Sequence, residues 1–149
     1  MGTTADLVRL RRLVDRYGMA VDQRDVGSLV SLFADGGELL VRWRGSAETV
    51  EFKGAGLGAL MDVVAPYEVT LHTVTNHVAD VDGDVAAGRT YCTAHHLRTD
   101  QRGSSTMTLY VAYDDDYVRS HDGWRFSTRR CELLWKSVGP LRPAPAAWP

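Results

Sequence analysis

Hydrophobic positions follow two different periods along the chain. In the first third, Leu7, Leu10, Val14, Tyr17 and Val21 recur at steps of three and four. That spacing predicts an amphipathic helix with one apolar stripe. Thr4 is placed to cap it, because its hydroxyl can accept a free amide of the first turn. Asp25 is placed as the N-cap of a second, short helix whose stripe is Leu29, Leu32 and Phe33. Asp35-Gly36-Gly37 is expected to end that helix, since glycine readily takes the left-handed conformation. The period then falls to two. Over 38–44, Leu39, Val41 and Trp43 alternate with Leu40, Arg42 and Arg44, as in a half-buried strand. Residues 49–52 read as a second short strand. Leu57, Leu60, Met61 and Val64 mark a further helix stopped by Pro66.

The second half reads as long strands over 68–81, 85–98, 106–119 and 124–136. They are separated by the turn Asp82-Gly83-Asp84, a polar loop over 99–104 and the turn His121-Asp122-Gly123. Asp-Gly turns between alternating segments predict antiparallel hairpins. The tail, 139–149, holds four of the five prolines. It is expected to leave the sheet and run extended over the surface, with Trp148 placed to cap a pocket. Helices first and strands after predict one α+β domain over 1–138, with the N-terminal helices packed on one face of a strongly curved mixed or antiparallel sheet. A sheet so curved makes a cone-shaped barrel with a cavity.

Charge and composition narrow the function. With 17 basic and 19 acidic residues and a net charge of −2, the chain has no electrostatic footprint for nucleic acid. No apolar run approaches the roughly 18 residues of a membrane span. The first residues lack the basic-then-apolar build of a signal peptide. The two cysteines, Cys92 and Cys131, match no CxxC pattern and read as buried, reduced thiols. The five histidines show no HExxH or Cys/His ligand spacing, so no metal is expected, and no cofactor motif is present. The expectation is a cytoplasmic domain whose function rests on individual residues.

Among these, spacing alone reads Asp22 as a solvated carboxylate in the polar run Asp22-Gln23-Arg24-Asp25. On a regular strand His72, Val74, Asn76 and Val78 share one face. His72 and Asn76 there form a pocket wall, or His72 is simply a hydrogen-bonded histidine in the sheet. His95 and His96 point to opposite faces, His95 with Tyr91, Thr93 and Leu97. Arg129 shares a face with Cys131, Leu133 and Trp135, where it needs an anionic partner. That partner is a structural carboxylate or the developing charge of a substrate. Asp114-Asp115-Asp116 reads as a solvated edge, with Asp116 structural beside Tyr117.

Three segments, YGMAVDQRDVGSLVSLFAD over 17–35, LHTVTNHVADVDG over 71–83 and AYDDDYVRSHDGWRFSTR over 112–129, together resemble the SnoaL-like branch of the nuclear transport factor 2-like superfamily. The chain is similar to scytalone dehydratase, hexachlorocyclohexane dehydrochlorinase and bile acid 7α-dehydratase over nearly its whole length. In those enzymes an Asp at the end of helix one orients a His on the sheet, which removes a proton beside a leaving or carbonyl group. The resemblance puts Asp22 and His72 in these roles, with Tyr17, Asn76, His95 and Arg129 as substrate-binding residues. Tyr17 stands where the dehydrochlorinase has a pocket lysine, and Val21 where scytalone dehydratase has a tyrosine, which speaks against either exact substrate. The implied function is a cofactor-independent dehydratase, β-eliminating lyase or double-bond isomerase. It would act on a small hydrophobic, cyclic compound, with Trp43, Tyr91, Leu109 and Tyr110 lining the pocket. The alternative is a non-catalytic ligand-binding or accessory protein on the same fold. A homodimer or homotrimer is expected, from family relatives and from a sheet face carrying Leu133 and Trp135.

Overall fold

The first helix begins one residue before the Thr4 cap expected from the sequence. Thr3 is the cap, and its hydroxyl accepts from the Asp6 amide while the Asp6 carboxylate accepts from the Thr3 amide. Asp6 is itself buried, and its carboxylate also receives Arg119 and the Trp124 indole at 2.8 and 3.0 Å. One side chain therefore starts the helix and ties it to the sheet. In the computed structural model, which describes residues 2–141, this is α1 (Thr4–Asp22). There follow α2 (Val26–Ser31), β1 (Phe33–Trp43), β2 (Val50–Lys53), a 3-10 turn (Gly54–Ala59) running into α3 (Leu60–Val64), and four long strands. These are β3 (Val69–Asp82), β4 (Val85–Asp100), β5 (Gly103–Ser120) and β6 (Gly123–Pro140).

The strands form one curled, open six-stranded sheet in the order β2-β1-β6-β5-β4-β3. Only the β1–β6 pairing is parallel, so the sheet is mixed. Helix α1 lies across the concave face and buries Leu10, Leu13, Val14, Tyr17, Ala20 and Val21. Leu7, expected in the stripe, is 44% exposed. Each fully buried Val or Leu contributes about 1.5–3 kcal/mol. Packing on the sheet therefore holds this helix more firmly than its own propensity does.

The structure departs from the sequence expectation where strands bulge. Asp35-Gly36-Gly37 lies inside β1 and does not end α2, which stops at Ser31. Gly37 passes so close to the neighbouring strand that a Cβ there would sit 2.9 Å from the Phe126 carbonyl oxygen. The pairing slips between Phe33 and Glu38 at that crossing. A second bulge, between Val74 and His77, flips the later half of β3. A third leaves Leu134 without a partner, since Val111 pairs with Leu133 and Tyr110 with Trp135. Leu133 consequently packs against the core, whereas Trp135 turns to the convex face. The sheet also continues past Gly139 to Pro140, paired only with β5. There proline meets no second strand that needs its amide. The rest of the tail, Trp148 included, lies outside the described residues. No helix among the described residues is long and apolar enough to cross a membrane.

Candidate functional site

The last residue of α1 and the fourth of β3 meet. Asp22 grips His72 twice. One carboxylate oxygen accepts from the His72 main-chain amide at 2.9 Å, and the other lies 2.6 Å from imidazole Nδ1. The His72 side chain is 9% exposed and that of Asp22 18%. Burial pushes the Asp22 carboxyl upward, but its hydrogen bonds from the His72 ring and main chain outweigh this and hold it below the usual value. Asp22 is thus ionised near neutrality and accepts the Nδ1 proton, which leaves the lone pair on Nε2. Such an imidazole can take up a proton while its carboxylate partner stabilises the resulting cation.

Two residues set this geometry. Gly18, one turn before Asp22, faces β3, and a Cβ there would lie 3.0 Å from the His72 Cβ. Glycine lets the strand come close enough for Asp22 to reach the main chain. Arg24 follows the helix with φ +58°, the one non-glycine left-handed residue among those described. From there its guanidinium donates to the carbonyls of Val21 (2.8 Å), Val64 (3.2 Å) and Tyr67 (3.2 Å) and to the Thr70 hydroxyl (2.6 Å). It thereby clamps the end of α1, the end of α3 and the start of β3 around Asp22. Nothing in the polar run 22–25 distinguishes Arg24 from a solvated arginine; its role depends on what folds back over it.

The other candidates are distributed differently. His96, the partner set aside in favour of His95, is the one buried beside His72, with ring centroids 6.2 Å apart. Burial, reinforced by the neighbouring His72, holds His96 below the usual imidazole value, and its Nδ1 has no hydrogen-bond partner. His95 points to the convex face, where Nδ1 meets the Thr108 hydroxyl at 3.0 Å. Asn76 is exposed at the β3 bulge, and His77 takes the inward place, 3.3 Å from the Tyr117 hydroxyl. The regular alternation that put His72 and Asn76 on one wall fails at that extra residue. Of the pocket candidates, Leu109 packs against the core, Trp43 and Tyr91 are 42% and 44% exposed, and Tyr110 stacks on Trp135.

Tyr17 and Arg129 meet each other in the core, under the middle of α1. Arg129 is fully buried, its guanidinium carbon 3.8 to 4.6 Å from the ring centres of Tyr113, Tyr17 and Phe126. Its carboxylate partner is Asp115, at 3.5 Å. The middle of the three aspartates is therefore the buried one. Asp114 and Asp116 pair outside with Arg89 and Arg130. Burial pushes the Asp115 carboxyl up to about 6, opposed by the Arg129 charge. Its other oxygen accepts from the Tyr117 hydroxyl at 3.0 Å.

Both cysteines are free and buried, which pushes each thiol up to about 12. Among the described residues no three His, Cys, Asp or Glu side chains are grouped as metal ligands.

Comparison with known proteins agrees with this architecture. The SnoaL-like domain family matches residues 3–130. An uncharacterized protein of Mycobacterium tuberculosis, Rv2910c, is 29% identical over 125 residues, 84% of this chain and 83% of that one. A hexachlorocyclohexane dehydrochlorinase from Novosphingobium barchaimii superposes with a TM-score of 0.74 at 22% identity, covering 94% of this chain and 96% of that one. A scytalone dehydratase-like protein from Novosphingobium aromaticivorans gives 0.77 at 19% identity, covering 94% and 91%. At such identities the structures share the fold alone, the curled nuclear transport factor 2-like cone. The family match spans most of the chain, from the Thr3 cap to Arg130 beyond the buried arginine, and on that ground the protein belongs to the SnoaL-like domain family.

Proposed function

We propose that this protein is a cofactor-independent lyase or isomerase that uses His72 as general base and Asp22 to orient it. The observation that carries the reading is the double grip of Asp22 on the ring and main chain of one histidine. A carboxylate serving stability alone needs no imidazole, whereas a base needs its tautomer fixed. In the reaction, Nε2 takes a proton from carbon beside a carbonyl or leaving group. The C–H electron pair becomes a C=C bond, and the leaving group departs from the adjacent carbon with its own electron pair. In a double-bond shift the imidazolium returns the proton at another carbon instead. His96, neutral and with Nδ1 free, is the neighbouring group able to hydrogen-bond a substrate oxygen. Arg129 and Tyr17 act at a distance, holding α1 on the sheet, because Asp115 and three rings already surround the guanidinium.

The substrate fits as a small hydrophobic, cyclic compound, by analogy with the dehydrochlorinase and the scytalone dehydratase-like neighbour. Free, buried thiols suit a reducing, cytoplasmic setting. The convex face, with Trp135 53% and Tyr91 44% exposed, suits a homodimer or homotrimer.

The test is exchange of carbon-bound hydrogen for deuterium, followed by NMR across a panel of hydrophobic cyclic ketones bearing a β-hydroxyl or β-halide. The expected result is exchange that falls by about 10²–10⁴ in His72→Ala, with a smaller loss in Asp22→Asn. Exchange that survives His72→Ala would overturn the base assignment. Saturable binding without exchange for every compound would favour the ligand-binding alternative.

A further inference from the structure

A second concavity lies beside α1, between the helix and the β5–β6 turn, away from Asp22 and His72. Arg9, Arg12 and Arg16 follow one another at steps of three and four, so their guanidinium groups leave the same face of the helix. All three are exposed, and none enters an ion pair among the described residues. The other arginines near them are already neutralised: Arg119 holds Asp6 and Asp84, and Arg125 holds Asp122. Like charges one turn apart weaken a helix. Here that penalty is incurred in a chain whose net charge is −2. The row also borders a concavity. Between it and the β5–β6 turn lies a cleft of about 440 Å³, with Leu13 and Trp124 among its lining residues. That volume lies in the range of small-molecule sites.

We propose that this cleft binds a small organic molecule carrying a diphosphate group. Three guanidinium forks match phosphate oxygens in pairs, which a carboxylate with one charge cannot satisfy. The row spans about 10 Å of helix, longer than one phosphate group. Leu13 and Trp124, only 5% and 6% exposed, form the floor of the cleft beneath the charged groups. A concave site with three free cations fits a soluble diphosphate better than a flat lipid surface, whose headgroups would present the same chemistry.

Calorimetric titration of the full chain with pyrophosphate tests this, with sodium chloride at matched ionic strength as control. The expected result is saturable binding of pyrophosphate, tighter than that of inorganic phosphate. In the Arg12→Gln/Arg16→Gln variant it weakens roughly tenfold or more. That variant keeps its fold by circular dichroism and melts no lower than the parent without pyrophosphate, since it relieves repulsion. Absence of saturable binding, or binding unchanged in the variant, overturns the proposal. Sedimentation with phosphatidylserine vesicles in the absence of any pyrophosphate binding would move the site to a lipid surface and overturn it as well.

Discussion

Two acid–base pairs sit on the concave face of this sheet, and they differ in nearly every respect that matters. Asp22 and His72 are part-exposed, lie 2.6 Å apart and are joined by two hydrogen bonds. Asp115 and Arg129 are fully buried and stand 3.5 Å apart, and the facing Asp115 oxygen and the arginine Nε and Nη1 make no hydrogen bond. The first pair combines an imidazole with a carboxylate that fixes its tautomer. The second combines a permanent cation with an acid whose ionisation is penalised by burial. Under the proposed function, only the first passes a proton to and from a ligand. The second stabilises the core only while both partners remain, as expected for buried ions. An arginine among apolar neighbours is thus no sign of a substrate clamp when the same strand register brings a carboxylate opposite it.

The sharpest break between the two pairs is Arg129→Met. It leaves Asp115 buried without a cation and is expected to cost about 3–5 kcal/mol in urea unfolding. Asp115→Leu/Arg129→Met should recover most of that loss, because the pair then becomes apolar. No such rescue is expected for the Asp22 and His72 variants, whose larger expected loss is in deuterium exchange. If Arg129→Met unfolds at the parent midpoint, the arginine does not stabilise the core.

The pairs also differ in sign against pH. Asp115 ionises at about 6 in the folded chain against 3.8 when unfolded, so between these values the folded state binds more protons. Its contribution to stability is therefore present at low pH and is lost as pH rises through that window, by up to about 1.4 kcal/mol per pH unit. Asp22 is held below its usual value, so its contribution is present above the unfolded carboxylate range and is lost as pH falls through the folded value. The stability difference between the parent and Asp115→Asn, measured from pH 4 to 7, should slope accordingly. A flat difference would show that Asp115 does not change its protonation on folding.

Much of this fold was legible because periodicity reports burial. The α1 stripe, the two Asp-Gly turns and the four long strands follow from apolar spacing and turn chemistry. What periodicity misses is the extra residue. At the bulge between Val74 and His77 alternation put Asn76 inside, whereas His77 lies there. At Leu134 a slip of one carried Trp135 to the outside. Where no bulge intervenes, alternation separated His95 from His96 correctly but could not say which face was concave. Asp22 is the converse case. Its helical spacing reads as solvated, and only the resemblance pointed inward, because what turns it in is the approach of β3 over Gly18. Arg24 carried no signal, since the elements it clamps to α1 are reached through main-chain carbonyls 40 and 43 residues away.

Arg24→Ala tests how far the Asp22 pair depends on that clamp. The guanidinium donates to four carbonyls, that of Asp22 (3.4 Å) included, and to one hydroxyl of the surrounding elements. Its loss should cost about 2 kcal/mol, in the range of a charged hydrogen bond whose partners are then left unmet. Alanine also keeps the strained positive φ, whereas Arg24→Gly relieves it. Arg24→Gly should therefore be more stable than Arg24→Ala by roughly 1 kcal/mol, and both should lose the far-downfield imidazole proton of a short Asp–His bond in NMR. Retention of that signal in both would make Arg24 a staple for stability without influence on the pair.

The mildest change separates position from stability. Gly18→Ala replaces a helical glycine, which by propensity alone gains about 1 kcal/mol. Its new methyl group, however, would press on the His72 Cβ at 3.0 Å, and overpacking costs about 1–3 kcal/mol. The two nearly cancel, so the melting temperature should move by only a few degrees. The geometry does not cancel. A shift of a few tenths of an ångström between α1 and β3 lengthens both bonds from His72 to Asp22, while the Asp115–Arg129 pair, on β5 and β6 and held by three rings, is untouched. The expected signature is deuterium exchange reduced about tenfold, as for a displaced catalytic group, with unfolding by urea near the parent value. If exchange keeps its full rate, close approach at Gly18 is a packing convenience and Asp22 reaches His72 without it.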